Sequence, residues 1–248
     1  MAGKVWDLFP FFNELDLLEL RLKTLWDHVD QFVIYEGYET FTGELKPLYF
    51  VENQDRFRPW MSKIRRVSVP RLHGATAWDR DHYCRDYMPE GFKDAEPDDI
   101  LFVSDCDEIW DPAARDVEME GPLIYGMRMF YYRLNMERIP RINWHGTVRC
   151  KKKEWPGGQK LRTTKGPVLY NAGWHFSFLG DAEFAKKKLT SYAHTEHAHL
   201  SLEHLERSIQ TGQDIVNPEA FYLPVPVDET FPKPIIEDPA RWQKWIRS

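Results

Sequence analysis

Residues 98–108 read Asp-Asp-Ile-Leu-Phe-Val-Ser-Asp-Cys-Asp-Glu, and this stretch decides the fold. No polar residue interrupts the four apolar residues 100–103, which is typical of a strand covered on both faces in a parallel sheet. In open parallel α/β sheets, ligands bind outside the carboxyl ends of the strands. The sequence therefore places Asp105 and Asp107 at a ligand-binding edge.

Strand and helix patterns alternate on both sides of this stretch. Further strands are predicted at residues 5–9, 31–35, 64–69, 123–132 and 169–178, and helices at 79–88, after a cap at Asn13, and from Asp181 towards His199. Residues 140–167, rich in glycine, lysine and tryptophan, are predicted to be a loop. This order predicts an α/β fold with a mostly parallel central sheet flanked by helices.

The length of 248 residues suits one α/β domain with a modest appendage. We expect a catalytic domain at residues 1–215 and a segment at 216–248 that packs on the same domain. The tail holds six of the 17 prolines, which favours an extended course around the domain.

Charge and cysteine content limit the classes of partner. A net charge of −6 gives no overall field that attracts nucleic acid, although the basic stretch at 149–165 leaves a nucleic acid acceptor open. The sequence shows no signal-peptide pattern and no apolar run of 18 residues, so no membrane partner is predicted. Cys84, Cys106 and Cys150 are odd in number and widely spaced, which indicates reduced thiols. We therefore expect a cytoplasmic protein.

The acidic pair suggests a metal. Two carboxylates at positions i and i+2, such as Asp105 and Asp107, can approach one hard divalent cation. Mg²⁺ or Mn²⁺ held there would bridge phosphate oxygens and offset charge on a leaving diphosphate. The spacing alone is weakly specific, because short acidic pairs are common at turns. Its position after a buried strand strengthens the prediction.

Blocks spread along roughly residues 5 to 215 resemble glycosyltransferase family 17. The blocks are residues 7–19, 32–36, 40–43, 46–50, 85–86, 97–100, 104–109, 173–177 and 187–196. Their consistent order is more specific than any single motif.

The resemblance implies a GT-A fold, a UDP-sugar donor, inversion at the anomeric carbon and a glycan or other hydroxyl-bearing acceptor. It makes Asp105 and Asp107 the metal-binding pair of the family. His175 is our candidate for a further metal ligand, the alternative being a core histidine bonded to the backbone. Met136 stands where the family has tryptophan after Leu-Asn, and a protein N-glycan acceptor is not carried over.

Inverting transfer needs a general base that takes the proton of the acceptor hydroxyl. Glu183 matches an acid of the family and is our first candidate, followed by Asp181. Alternatively, Asp181 caps a helix and Glu183 is a first-turn acid that interacts with the helix dipole. Glu196 and Asp107 stay open as further candidates.

Several residues are predicted to contact the nucleotide-sugar donor. They are Glu36, Arg80, Arg85, Asp86, Asp105, Trp144 and Lys188. Each has an ordinary structural alternative, such as a turn acid, a surface ion pair, a buried tryptophan or a solvated lysine.

A group of histidines looks like a metal cluster at first sight. Its members are His194, His197, His199 and His204. Their spacing does not place three of them on one face of an α-helix, and no cysteine accompanies them. We therefore predict no zinc site there.

Two other functions fit the same acidic pair. A metal-dependent nucleotidyltransferase or phosphoesterase would use it too, but a two-metal site needs more clustered carboxylates than residues 98–99 offer. A non-catalytic glycan-binding relative with the GT-A fold is the second alternative.

Overall fold

The computed structural model describes residues 3–118 and 120–247, which form one mixed sheet with helices packed against it. The strands are β1 (Val5–Pro10), β2 (Gln31–Glu36), β3 (Ile64–Ser68), β4 (Ile100–Val103), β5 (Glu108–Trp110), β6 (Leu123–Tyr131), β7 (Met136–Ile139), β8 (Trp144–Lys151), β9 (Val168–Leu169), β10 (Gly173–Ser177) and β11 (Phe221–Pro224). The helices are α1 (Leu15–Leu25), α2 (Tyr49–Glu52), α3 (Ala77–Asp86), α4 (Gly158–Arg162), α5 (Ala182–Leu189), α6 (Leu202–Thr211), α7 (Lys233–Glu237) and α8 (Pro239–Trp242).

The N-terminal half of the sheet is parallel, in the order β3-β2-β1-β4. Leu8 of β1 pairs with Val103 of β4, so both strands end at the same edge. β8 pairs antiparallel with β4 and with β6, and beyond β8 the sheet mixes both directions. The predicted α/β class, with a central sheet flanked by helices, is confirmed. Parallel pairing is continuous in the half that precedes the acidic loop.

The prediction that residues 140–167 form a loop is wrong. This stretch contains β8 and α4, and β8 fills the centre of the sheet between β4 and β6. The middle of β8, residues 146–150, is buried although it includes Thr147 and Arg149. Its two strand partners decide this structure, because strand formation depends more on neighbouring strands than on local propensity.

The starts of two helices differ from the prediction. Glu14, not Asn13, directly precedes α1, and its side chain does not cap the helix. α3 begins at Ala77 because Thr76 and Asp79 form a capping box there, in which each side chain accepts from the backbone N–H of the other.

The region after β8 is more broken than the sequence predicts. The expected strand at residues 169–178 is divided into β9 and β10. α5 starts after Asp181 as expected, but it ends at Leu189, well before His199.

The C-terminal tail contributes buried side chains to a hydrophobic core of the domain. Phe231, Ile235 and Trp242 are buried in the same cluster as Leu18 and Leu22 of α1. The tail thus covers the face of the sheet on which α1 packs. The boundary at residue 215 stays a prediction.

The cysteines are unpaired and buried. Burial raises the pKa of Cys84 and Cys150 to about 12, and it raises the pKa of Cys106 as well. Thiols with such pKa values are weak nucleophiles at neutral pH. Within the described part of the chain, no helix has the length and apolar character needed to cross a membrane. The compartment stays a prediction.

Candidate functional site

The acidic loop, residues 104–108, follows β4 and is held by Arg21 of α1. Arg21 is fully buried and donates to both carboxylate oxygens of Asp7 at 2.7 Å. It also donates to the carbonyl oxygens of Asp105 at 3.1 Å and of Glu108 at 2.7 Å. One side chain therefore connects β1, α1 and the acidic loop, and fixes the backbone of the loop.

Asp105 is the more exposed of the two predicted metal-binding aspartates, with 32% of its side chain accessible. Arg85 of α3 donates to its Oδ1 at 2.9 Å, and Arg162 of α4 donates to its Oδ2 at 3.0 Å. Burial alone would raise the pKa of Asp105, but these two guanidinium groups hold that pKa below its usual range. Asp105 is therefore ionised at neutral pH, as a metal-binding carboxylate must be.

Asp107 is buried and faces a different cation. Lys188 of α5 donates to its Oδ2 at 2.6 Å, and Nε2 of His175 lies 3.6 Å from its Oδ1. Burial alone would raise the pKa of Asp107, but Lys188 and His175 hold that pKa well below its usual range. The Lys188 ammonium group also lies 3.7 Å from Oε1 of Glu14, whose pKa is raised by burial. Lys188 thus joins carboxylates that follow two different strands.

We call the carboxylates of Glu14, Asp105, Asp107 and Glu108 the acidic cluster, and Glu108 lies on the side of it that faces β8. Its carboxylate accepts from Arg162 at 2.6 and 2.7 Å and from the indole Nε1 of Trp144 at 2.6 Å. Trp144 also stacks on His175, with ring centroids 4.7 Å apart. A Cβ atom at Gly146 would overlap the Glu108 carboxylate, so the backbone of β8 packs directly on it. The acidic loop is enclosed by β8, β10, α3, α4 and α5.

This arrangement brings together sequence blocks that lie far apart along the chain. The family model described as "Glycosyltransferase family 17" matches residues 1–226. The chain belongs to glycosyltransferase family 17.

Curated relatives carry the name beta-1,4-mannosyl-glycoprotein 4-beta-N-acetylglucosaminyltransferase. The Mus musculus protein is 31% identical and the Homo sapiens protein 32% identical, each match covering 72% of this chain and 41% of the relative. The chain therefore spans about two fifths of the length of these curated relatives.

Among solved structures, the mannosyltransferase PcManGT from Pyrobaculum calidifontis in complex with GDP-Man and Mn2+ is similar to the chain. The TM-score is 0.44 and the sequence identity 10%, and the match covers 85% of this chain and 74% of the other. A likeness this distant says nothing about the ligands of the family 17 chain.

Some of the predicted donor-binding residues lie outside the acidic cluster. Glu36 is fully buried at the end of β2 and accepts from Arg66 at 3.0 Å. Arg80 donates to two backbone carbonyl groups of neighbouring loops. Asp86 accepts at 3.1 Å from a backbone N–H at the start of α4. Their contacts are structural ones, and their roles in donor binding stay predictions.

The two candidate bases lie at the start of α5. Asp181 accepts from the backbone N–H of Phe184 at 2.8 Å and so caps the helix, which is the alternative considered for it. Glu183 is exposed on the first turn. It precedes Lys188 by five residues, which corresponds to about 7.5 Å along the helix axis and roughly 140° around it, so the two side chains leave different faces of α5. Neither carboxylate bonds to the acidic cluster in the described part of the chain.

The predicted metal ligands Asp105, Asp107 and His175 do not converge in this structure. The reason is that each aspartate turns to different cations, and His175 lies beside Asp107 alone. The carboxylate oxygens of both aspartates are nevertheless the hard ligands that Mn²⁺ and Mg²⁺ prefer. The buried Nδ1 of His175 has no hydrogen-bond partner within the described chain. The chemistry of these ligand atoms suits a divalent cation, and its binding by Asp105 and Asp107, with His175 as a third ligand, stays a prediction.

The expectation that the histidine segment holds no zinc site stays a prediction, but the backbone geometry behind it differs in the structure. Among the described residues, the group of three whose ligand atoms all lie within 4.8 Å of one another is His194, Glu196 and His197. The prediction rests on α-helical geometry, whereas Thr195–His197 forms a 3₁₀ turn. The N–H of His197 donates to the carbonyl of His194 at 3.3 Å, and this turn brings the two histidines together.

Four residues of the site were missed by the sequence reasoning: Glu14, Arg21, Glu108 and Arg162. Glu14 and Glu108 lie inside the family 17 blocks, so those blocks contained a signal for them. Arg21 follows Leu18 and precedes Leu25 at helical spacing, and a charge on an apolar face indicates a buried ion pair. Arg162 lies in the stretch predicted to be a loop, where only the local basic charge could have drawn attention.

Proposed function

We propose that this chain is a metal-dependent inverting glycosyltransferase. It moves a sugar, N-acetylglucosamine or another hexose, from a UDP-sugar to a hydroxyl group of a glycan or other acceptor. The observation that carries the proposal is the acidic cluster at the carboxyl end of β4, in a chain of family 17. The curated relatives are named for transfer of N-acetylglucosamine, which supports this sugar as the first donor to test.

The residues proposed to hold Mn²⁺ or Mg²⁺ are Asp105 and Asp107, with His175, which lies beside Asp107, as a third candidate ligand. When bound, the cation would offset the charge that develops on the diphosphate leaving group. Arg85 and Arg162 keep Asp105 ionised and oriented, because they donate to different carboxylate oxygens.

Side chains around the pair are proposed to bind the donor. Lys188 and Arg85 bring positive charge to the place where a diphosphate would lie, and charge-assisted hydrogen bonds are the strong ones. Trp144 lies at the edge of the cluster and is proposed as an aromatic surface for the sugar. Three further residues are proposed to contact the nucleotide of the donor: Glu36, Arg80 and Asp86.

Glu183 is proposed as the general base, with Asp181 as the second candidate. The other carboxylates considered for this role are already bonded: Asp181 caps α5, Asp107 pairs with Lys188, and Glu196 bonds to His194. Within the described residues, the Glu183 carboxylate makes no hydrogen bond or ion pair. An uncommitted carboxylate is able to accept the proton of an acceptor hydroxyl.

Donor binding is the first measurement. UDP, UDP-N-acetylglucosamine and UDP-glucose are titrated into the protein by calorimetry, with Mn²⁺ and then with EDTA. We expect binding that depends on the cation and that is lost in the double variant Asp105→Asn, Asp107→Asn. The control is Asp98→Asn with Asp116→Asn, because both of these aspartates are exposed and pair with surface cations.

Circular dichroism shows whether the double variant folds. If the double variant does not fold, UDP binding to the unmodified protein with Mn²⁺ and with EDTA shows whether binding depends on the cation. Binding of UDP that is equal with Mn²⁺ and EDTA contradicts the metal role, and the absence of any UDP binding contradicts the donor class.

Glu183→Gln tests the base. We expect the affinity for the UDP-sugar to stay unchanged. The rate at which the transfer reaction forms UDP should fall by about 10²- to 10⁴-fold, the usual contribution of general acid–base catalysis. The matched control is Glu206→Gln, an exposed glutamate on α6. A rate equal to that of the control assigns the role to another carboxylate, with Asp181→Asn as the next variant.

A further inference from the structure

A second group of ligand-type side chains lies in the connection between α5 and α6. His194, Glu196 and His197 offer one ligand atom each, and these atoms all lie within 4.8 Å of one another. Nδ1 of His194 is 2.7 Å from Oε1 of Glu196, and Nε2 of His197 is 3.7 Å from the same oxygen. We call these three residues the His194 cluster.

The local backbone holds the cluster together. Thr195–His197 is a 3₁₀ turn that ends with a hydrogen bond from the N–H of Ala198 to the carbonyl of Thr195 at 3.1 Å. The two imidazole rings are nearly parallel, with 23° between their planes and their centroids 6.3 Å apart. A backbone hydrogen bond from the N–H of His197 to the carbonyl of His194 at 3.3 Å keeps the two residues close.

Neighbouring side chains orient two members of the cluster. The indole of Trp78, at the start of α3, packs edge-on against His194, with ring centroids 4.6 Å apart. Nδ1 of His199 lies 2.8 Å from the carbonyl oxygen of Glu196. These contacts reduce the conformational freedom that the cluster would lose on binding an ion.

We propose that the His194 cluster binds a divalent transition metal of the zinc class. Two imidazoles and one carboxylate form a donor set that zinc uses in proteins, with three protein ligands and open positions for water or another ligand. Ligands about 2.1 Å from a tetrahedral ion lie about 3.4 Å apart, close to the spacing of His197 and Glu196. The side chains are 29–53% exposed, so an ion reaches them from solvent and keeps its open positions there.

This site is separate from the pair proposed to hold the donor cation. Imidazole nitrogen favours zinc, nickel and copper, whereas the oxygen ligands of Asp105 and Asp107 favour Mg²⁺ and Mn²⁺. The two sites therefore differ in their metal preference, and the His194 cluster does not depend on the proposed sugar transfer.

The experiment is a calorimetric Zn²⁺ titration of the double variant Asp105→Asn, Asp107→Asn, in which the oxygen site is disabled. We expect one Zn²⁺ per chain, and a loss of affinity of at least about tenfold when Glu196→Ala or His197→Ala is added. His73→Ala is the matched control, because it removes an exposed histidine outside the cluster and leaves the affinity unchanged.

A second measurement uses the unmodified protein with excess Mg²⁺, which competes for oxygen ligands but not for imidazole. Co²⁺ then replaces Zn²⁺, and its visible absorption reports nitrogen coordination. We expect a visible absorption band of bound Co²⁺ that is lost in His197→Ala and retained in His73→Ala. The proposal is overturned if no Zn²⁺ binds, or if Glu196→Ala and His197→Ala bind it as tightly as the control does.

Discussion

Arg21 carries its charge into the core with no exposed surface and donates to six acceptor atoms there. Replacing it with methionine removes these donors and leaves the buried Asp7 carboxylate without its cation, although the indole of Trp110 still donates to it at 3.1 Å. Breaking one side of a buried ion pair costs about 3–5 kcal/mol. We expect Arg21→Met to lower the free energy of unfolding by that amount, measured by urea denaturation.

The control at the same scale is Arg58→Met. Arg58 pairs with Asp55 at 2.6 Å, but the two side chains are 79% and 92% exposed. An exposed pair contributes less than about 1 kcal/mol, so we expect a small change. Equal destabilisation by both substitutions would contradict the central position of Arg21.

Single residues of the site were predictable where a local pattern marked them. Asp105 and Asp107 follow a buried apolar run, and this is enough to place them at the ligand edge of the sheet. The three cations that hold the pair come from different helices, and no local pattern shows which of them turns towards it. Arg85 and Lys188 were predicted as donor contacts, whereas Arg162 was missed.

At the scale of elements, β8 forms the wall on which the acidic cluster rests. A Cβ atom at Gly146 would overlap the Glu108 carboxylate and would also crowd the indole of Trp144. Gly146→Ala therefore pushes Glu108 away from Arg162. Overpacking of this kind costs about 1–3 kcal/mol. We expect lower stability and weaker UDP-sugar binding, measured by urea denaturation and by calorimetry.

Gly166→Ala is the matched control for Gly146→Ala. A Cβ atom there meets the carbonyl oxygen of Pro122 at 3.5 Å, which is an ordinary van der Waals contact. Stability and UDP-sugar binding should both stay close to those of the unmodified protein. If Gly146→Ala behaves like this control, β8 does not support the cluster in the way described.

Elements differ in how far the sequence predicts them. β1, β2 and β4 are buried along nearly their whole length, so their apolar runs predict them directly. β8 is a strand because β4 and β6 bind it on both edges, and the paired residues of those strands are 17 to 51 positions away in the chain. The 3₁₀ turn Thr195–His197 was not predicted either, because the helix predicted from Asp181 towards His199 ends at Leu189.

At the scale of the whole molecule, the C-terminal tail is clasped to α1 by a network of charges. Asp16 accepts from Lys244 at 2.7 Å and from the indole of Trp245 at 2.8 Å. Glu19 accepts from Arg241 at 2.7 and 3.1 Å. No local pattern in the tail predicts this clasp, because its two halves are more than 200 residues apart.

The clasp should make stability depend on acid pH. Burial alone would raise the pKa of Glu19, but hydrogen bonds from Arg241 and Arg56 lower it from 4.5 to about 2. The unfolded chain therefore binds a proton at a higher pH than the folded chain does. The contribution of Glu19 is fully present above about pH 4.5 and is lost as the pH falls towards about 2.

Glu19→Gln tests this linkage by urea denaturation between about pH 7 and pH 3. The variant should be less stable than the unmodified protein at neutral pH, because its amide accepts only weakly from the two arginines. The difference should shrink as the pH falls, since protonation removes the same charge from the unmodified protein. Glu206→Gln, which lies exposed on α6, should show a pH dependence equal to that of the unmodified protein. A difference for Glu19→Gln that stays constant down to about pH 3 would mean that the charge of Glu19 does not hold the tail.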